Sequence, residues 1–294
     1  MNKLFTEEIS QLSIDLMVTY GCNLNCKKCY APKTGYVPSY DEIVQTLDKL
    51  YDMGIKKIVL TGGEPLVYKD IVRTAKYAKE KGFFICLSTN GLLLKDRWPD
   101  ISPYLSWVSI SLDGANGEID KLVIGEGGER HFKKVMEFLE FYSSLPQKTA
   151  KIKLGTVVTK KNKDHLVALG DVVFNKQPGY KPDIWRLYQF SEFKNHNNNL
   201  EYIDELSITE AEMHESMDIL KKKYPKINIS FATEAERDEA YIFIKPEQSL
   251  VYSKNGEYIL LGDTKALSPK KLSELLYGIQ HIWKKCISNR LMYS

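Results

Sequence analysis

Cysteine is scarce in this chain, at five in 294 residues. Charge of one sign is lacking as well: 41 Lys plus Arg against 38 Asp plus Glu leave a net +3. That balance excludes a charge-driven nucleic-acid binder, and no sequence-specific nucleic acid is expected. No run of eighteen uninterrupted apolar residues occurs, so a helical membrane span is excluded. The first residues, Met1 to Glu8, carry no apolar signal-peptide core, so secretion is not expected and the cytoplasm is the expected compartment. What remains, 43% hydrophobic, 27% charged and 11% aromatic, is an ordinary globular composition. The length allows two average domains, yet α/β barrels of this size fold as one.

Apolar runs alternate with helix-period stretches, which is the βαβ signature. Strands are predicted at Ser13–Val18, Lys57–Thr61, Phe83–Ser88, Trp107–Leu112, Lys151–Val158 and Ile184–Phe190. They are rich in Ile, Val, Leu and aromatics, as buried parallel strands should be. Helices are predicted near Asp41–Met53, Lys69–Lys81, Phe132–Tyr142 and Asp164–Asn175. The pattern predicts an α/β fold, a partial (β/α)6 TIM-like barrel. From about residue 195 the texture changes. Asn195-His196-Asn197-Asn198-Asn199 reads as a surface loop, followed by a helix at Ile208–Tyr224. Three short runs, Ala240–Ile244, Leu250–Ser253 and Tyr258–Leu261, with Asn255-Gly256 between the last two, predict a small meander with a tight turn. A final helix is predicted at Lys270–Lys285. The expected organisation is a core at 1–194 and a small C-terminal α+β extension at 195–294. The extension is expected to cover one end of the barrel within the same structural unit.

The cysteines are distributed unevenly. Cys22, Cys26 and Cys29 lie within one loop after the first predicted strand, while Cys86 and Cys286 stand alone. An odd, clustered set argues for a metal site or thiol chemistry and against a disulfide scaffold. In a β/α barrel, loops after strands build the active-site face. Three thiolates in CxxxCxxC spacing can hold three irons of a cubane cluster, where an electron-transfer centre uses four. One iron is then open to a non-protein ligand, by the logic that separates catalytic from structural zinc sites. A zinc knuckle completed by a histidine is the competing reading, and the first histidine in the chain is His131.

CxxxCxxC followed by an aromatic, here Tyr30, resembles the defining motif of the radical S-adenosylmethionine superfamily. The resemblance implies a 4Fe-4S cluster on Cys22, Cys26 and Cys29, with S-adenosylmethionine chelating the open iron. It further implies reductive cleavage of the sulfonium to a 5′-deoxyadenosyl radical that abstracts hydrogen from substrate. Thr61-Gly62-Gly63-Glu64-Pro65 resembles the family's GGEP loop, implied to contact the methionine amino group. Two glycines suit close backbone approach, and Glu64 can meet a positive charge. Ser88-Thr89-Asn90-Gly91 resembles the ribose-contacting segment, where Ser88 and Asn90 suit a diol. Ser111-Leu112-Asp113-Gly114 resembles the SxDG of family members, with Ser111 and Asp113 as cofactor contacts. Val158 would lie against the adenine. An external electron donor such as flavodoxin or ferredoxin is implied. The substrate is expected to be a small molecule or a peptide.

Two cysteines outside the loop are too few for an auxiliary cluster, so a single-cluster enzyme is expected. Ile184-Trp185-Arg186-Leu187-Tyr188-Gln189 resembles the Trp-Lys-x-aromatic-Gln strand of the viperin branch, whose members dehydrate a nucleoside triphosphate. Leu122–Gly128 resembles that branch's Ile-Gly-rich loop, and Asp96-Arg97-Trp98 has a counterpart there. Tyr241 sits where that branch places a tyrosine over substrate. Lys33, Arg186, Gln189 and Tyr241 are the resulting substrate candidates, and Arg97, Lys121, Arg130 and Lys153 are further cations near strand ends. Two departures stand against it: Ser13-Ile14-Asp15-Leu16 replaces an Asn-x-His stretch, and Tyr30 replaces Phe. A nucleotide dehydratase, a ribosomal-peptide-modifying enzyme without auxiliary clusters, and a non-enzymatic iron–sulfur or zinc module are the alternatives carried forward.

Overall fold

The computed structural model describes residues 8–32, 35–175, 181–194 and 200–289. Lys33 and the Asn195–Asn199 loop lie outside the described residues. Ten strands form one sheet in the order β10-β9-β8-β1-β2-β3-β4-β5-β6-β7. The barrel strands are β1 (Ser13–Met17), β2 (Lys57–Thr61), β3 (Phe84–Thr89), β4 (Trp107–Ser111), β5 (Lys151–Val158) and β6 (Ile184–Gln189), all parallel. They stand within a residue of the predicted bounds. Their apolar residues are buried apart from the half-buried Phe84, Val157 and Tyr188, as parallel strands covered by crossover helices require.

The tail does more than cover the barrel end. After the helix Glu210–Lys223, β7 (Ile229–Ala232) extends the parallel sheet beside β6. β8 (Ile242–Ile244) adds to the opposite edge, parallel to β1. The partial barrel therefore carries eight parallel strands instead of six, and among the described residues β7 and β8 do not pair. Ile227-Asn228-Ile229-Ser230-Phe231 does alternate apolar with polar, but the strand it forms is only four residues long and closely follows the Glu210–Lys223 helix, and it is absent from the predicted strands. β9 (Ser249–Lys254) and β10 (Glu257–Asp263) complete an antiparallel meander from β8. Asn255 (φ 51°) and Gly256 (φ 74°) form the expected two-residue turn.

The crossover helices start at caps legible in the sequence. Ser39 accepts from Glu42 N while Glu42 reaches back to Ser39 N, a capping box for Tyr40–Asp52. Thr209 and Glu212 do the same for Glu210–Lys223. Two helices escaped the periodicity. Leu94–Ile101 takes in Asp96-Arg97-Trp98, and Trp98 packs T-shaped on Tyr142 at 5.0 Å. Gly117–Ile124, capped by Asn116, takes in Leu122 to Ile124 and turns at Gly125–Gly127 into Gly128–Ser144. The motif resemblances at these two places thus fall on helices. The expected single C-terminal helix is two, Pro269–Gly278 and Gln280–Asn289, and the predicted Asp164–Asn175 helix is broken into three short turns.

Candidate functional site

The loops after β1 to β6 all lie at one end of the parallel sheet, which brings the motifs together. The β1 loop carries the cysteines. It is held by Lys27 N donating to Ile124 O at 3.1 Å and by Lys27 Nζ on Glu205 at 2.9 Å. Cys22 is exposed and Cys26 and Cys29 half-buried. Burial pushes the Cys26 thiol up, opposed by the Lys28 ammonium.

The glycines of the β2 loop serve the backbone. Gly62 has φ 142°, and a Cβ there would stand 2.2 Å from Thr19 O; one on Gly63 would stand 2.3 Å from Gly21 O. Gly63 N donates to Thr19 O at 2.7 Å and Glu64 N to Gly21 O at 2.8 Å. The GG pair thus lets the β2 loop lie against the stretch leading into the cysteines. Glu64 turns inward and is fully buried. It accepts from Thr89 Oγ1 at 2.7 Å, Asn90 N at 2.7 Å and Leu66 N at 3.1 Å. Burial outweighs these bonds and raises its carboxyl to about 7. Pro65 opens the short 3₁₀ turn Pro65–Val67 beneath it.

Asn90 bridges to the cysteine loop: its Nδ2 donates to Asn23 Oδ1 at 2.8 Å and to Cys22 Sγ at 3.8 Å. Asp113 is buried and pairs with Lys28, the second of the two lysines between Cys26 and Cys29. It also accepts from Val157 N at 2.7 Å, and its own N–H donates to Asp120, which meets His131. The β4 loop is thereby tied to the cysteine loop.

Inside the barrel mouth lies a cavity of about 210 Å³. Its wall is the inward row of successive strands: Asp15, Val59 and Thr61, Ser88, Ser109 and Ser111, Lys153, Gly155 and Val157, Arg186 and Tyr188. The spacing of two is the pleat of a strand. Lys28, Tyr30, Phe193, Arg237, Tyr241 and Phe243 complete it. Tyr30 Oη is 3.3 Å from Thr61 Oγ1, and Tyr241 stacks on Phe243 at 6.1 Å.

Eight of the expected cofactor and substrate positions do not wall this cavity: Gly62, Gly63, Pro65 and Asn90, which shape the loops beside it, and Val158, Gln189, Glu64 and Asp113. Val158 is fully buried on the other face of β5, and its neighbour Val157 faces the cavity instead. Gln189 likewise alternates away from Arg186 and Tyr188. Its Nε2 donates to Ile208 O at 2.9 Å and its Oε1 accepts from Glu234 N at 2.9 Å, so it braces the tail. Glu64 and Asp113 act behind the wall, as above. Among the cations, Lys121 pairs with Glu129 on the surface and Arg130 is exposed.

Sequence reasoning missed Arg237, Lys28, Tyr188 and Asp15 as wall residues. Arg237 arrives on the turn Glu234–Arg237, whose only sequence signal is the capping box Thr233–Glu236. Three cations surround one ring: Lys153 Nζ stands 5.8 Å, the Arg186 guanidinium 5.5 Å and the Arg237 guanidinium 5.7 Å from the Tyr188 centroid. Lys153 also donates to Tyr188 Oη at 3.1 Å. Arg237 bonds Gln189 O and Ser191, while its Nε is buried with no partner among the described residues.

The Radical SAM superfamily model matches residues 16–171. The chain belongs to the radical SAM superfamily. It is an enzyme of that superfamily, whose members use S-adenosylmethionine with a 4Fe-4S cluster. A similar protein from Flammeovirga pacifica, named S-adenosylmethionine-dependent nucleotide dehydratase, is 27% identical over 270 residues, 88% of each chain. One of the same name from Lacinutrix mariniflava is 30% identical over 221 residues, 71% of this chain but 44% of its own length. Among solved structures, Streptococcus suis SuiB bound to S-adenosylmethionine superposes with a TM-score of 0.64 at 16% identity. That match covers 81% of this chain and 59% of SuiB, and shows the shared fold.

The donors present suit such a cofactor pair. No three His, Cys, Asp or Glu side chains among the described residues converge on one mononuclear ion. A cubane with one open iron takes a thiolate on each of its other three irons, which a loop with three separated cysteines offers. The neighbouring cavity supplies hydroxyls, an apolar valine and a guanidinium N–H awaiting an acceptor.

Proposed function

We propose that this chain is a radical S-adenosylmethionine enzyme acting on a nucleoside triphosphate, in the manner of a nucleotide dehydratase. The observation that carries the reading is the ring of Lys153, Arg186 and Arg237 around Tyr188 in the cavity wall. Like charges gathered in a partly buried space repel one another, and with one carboxylate, Asp15, in the same wall the three cations leave an excess of positive charge that an anionic ligand would offset. Guanidinium groups grip phosphate oxygens bidentately, and a lysine adds a compact point charge. A peptide substrate offers no comparable density of negative charge. The names of the two nucleotide dehydratases similar to this chain support the same class.

In this reading Cys22, Cys26 and Cys29 hold the cluster. Ser88, Ser111 and Val157 face the S-adenosylmethionine, while Gly62 to Pro65 and Asn90 shape the loop that positions it. Bound there, the pair supplies a carbon-centred radical able to remove a hydrogen atom from substrate. The chain's own contribution is placement. The three cations fix the phosphates at the β5–β6 side of the cavity, and Tyr188, Tyr241 and Phe193 flank the rest of the nucleotide. Tyr30 and Phe243 line the cavity together with Tyr241 and Phe193. Holding the reacting C–H beside its partner in a closed space is where rate is gained. The tail, through Arg237 and Tyr241, completes the cavity, so residues 195–294 act with 1–194 as one unit. A one-electron donor such as flavodoxin or ferredoxin reduces the cluster.

The test is anaerobic reconstitution with iron and sulfide, reduction by dithionite, and assay of 5′-deoxyadenosine with CTP, UTP or GTP in turn. One nucleotide is expected to stimulate 5′-deoxyadenosine formation and to lose one water from its own mass. Unstimulated turnover with all of them would remove the nucleotide reading and leave only the superfamily assignment.

A further inference from the structure

The cavity is one of two adjoining chambers. At about 210 Å³ it falls short of the roughly 300–1,000 Å³ that small-molecule sites occupy, while the reaction brings S-adenosylmethionine and a nucleoside triphosphate side by side. A larger chamber of about 740 Å³ lies next to it on the tail side. Phe193, Arg237, Tyr241 and Phe243 stand in the walls of both. A reactant too long for the inner cavity therefore continues past these four residues into the outer chamber.

The two chambers differ in charge. In the inner wall Lys153 and Arg186 outnumber Asp15, Lys28 being paired with Asp113. The outer wall holds Glu192, Glu210, Glu234 and Asp238 against Lys194, with Arg237 at the boundary. A triphosphate is held by the inner wall and repelled by the outer one. The nucleotide is thus oriented with its phosphates inward and its uncharged base outward. The boundary suits a flat ring: Tyr241 stacks on Phe243 at 6.1 Å, and Phe193 lies 5.7 Å from Tyr30. Stacking on aromatic rings holds any base, so selectivity must come from the base edge.

Ser253, on β9, is 8% exposed and stands in the outer wall with its hydroxyl buried and no hydrogen-bond partner among the described residues. Its N–H donates to Tyr241 O at 3.2 Å, which sets it beside the boundary. Asp238 accepts from Asn255 N at 2.6 Å through Oδ1, and its Oδ2 remains for another donor. A carboxylate has no proton to give, so it accepts from an exocyclic amino group and opposes a ring carbonyl.

We propose that the outer chamber is the base subsite, where Asp238 and Ser253 select a nucleobase that presents an amino group in place of a carbonyl, cytosine over uracil and adenine over hypoxanthine. The inference rests on the substrate being a nucleoside triphosphate.

The test is isothermal titration of the reconstituted full-length protein, with S-adenosylmethionine present, against CTP, UTP, ATP and ITP, alongside 5′-deoxyadenosine formation with each. In each pair the amino-bearing nucleotide is expected to bind roughly 10–100-fold tighter, the equivalent of one hydrogen bond to a charged group. S253A should narrow that ratio. D238N keeps an oxygen for Asn255 N and gains an amide that can donate to a carbonyl, so it should move the preference toward UTP and ITP. Both variants are expected to load the same iron and to bind S-adenosylmethionine as the wild type does. Equal or reversed affinity within either pair in the wild type, or ratios that both variants leave unchanged, would overturn the base subsite while a stimulating nucleotide still upheld the nucleotide reading. Absence of binding and of stimulation by every nucleotide would overturn that reading and this inference with it.

Discussion

Lys28 and Asp113 form an ion pair whose side chains are only 10% and 0% exposed. It joins the loop between Cys26 and Cys29 to the end of β4, across the mouth of the barrel. Removing one member of a buried pair strands the other's charge, which typically costs about 3–5 kcal/mol. K28M should therefore lower the unfolding free energy of the cluster-free protein, read from urea titration, by an amount in that range, and impair cluster uptake. A K28M protein of unchanged stability would show the pair to be ornamental.

Glu64 makes stability depend on pH. Its carboxyl is raised from 4.5 to about 7 by burial. The folded state thus holds this proton more tightly than the unfolded state does. The stabilisation is complete below pH 4.5 and is lost as pH rises toward 7, by roughly 3 kcal/mol in total. E64Q should flatten this slope. It should also cost about 1–3 kcal/mol, because an amide cannot accept from all three of Thr89, Asn90 and Leu66. Urea midpoints between pH 5 and 8 for both proteins decide the matter, and parallel curves would refute it.

Gly63 tests whether the GG pair serves the backbone. The added Cβ of G63A meets carbonyl oxygens at 2.3 and 2.5 Å, neither of which can rotate away. A loss of at least about 2 kcal/mol is expected, together with failure to assemble the cluster. G35A, where a Cβ meets nothing within 4 Å, is the matched control and should leave both properties unchanged.

R186M and R237M should each weaken nucleotide binding by roughly 10–100-fold, the equivalent of one charge-assisted hydrogen bond. Isothermal titration with CTP, UTP and GTP measures this. S-adenosylmethionine affinity should stay constant, and a parallel fall in both would place these residues at the wrong ligand.

Cys22, Cys26 and Cys29 replaced singly by Ala should each abolish iron retention. C86A should cost only about 1–3 kcal/mol of stability, since Cys86 packs among Val59, Trp107, Ile184 and Phe84. Iron analysis after reconstitution and thermal melting separate the two outcomes.

The alternation of strands and helices, the helix caps and the cysteine spacing are local properties, so the sequence by itself determined the parallel core, the superfamily and the loop that bears the thiols. Each signal is carried by residues close enough in the chain to constrain one another directly. Tertiary structure decided which side of each strand meets the cavity. A slip of one residue reverses facing, which is why Val157 and not Val158, and Tyr188 and not Gln189, reach inward. It also decided the composition of the wall. Arg237 and Tyr241 join Lys153 and Arg186 only because β7 and β8 extend opposite edges of one sheet, and Tyr258 and Tyr30 come to pack on the same Phe243 through the same extension. Such meetings join residues from opposite ends of the chain by pairing and packing. No local spacing encodes them.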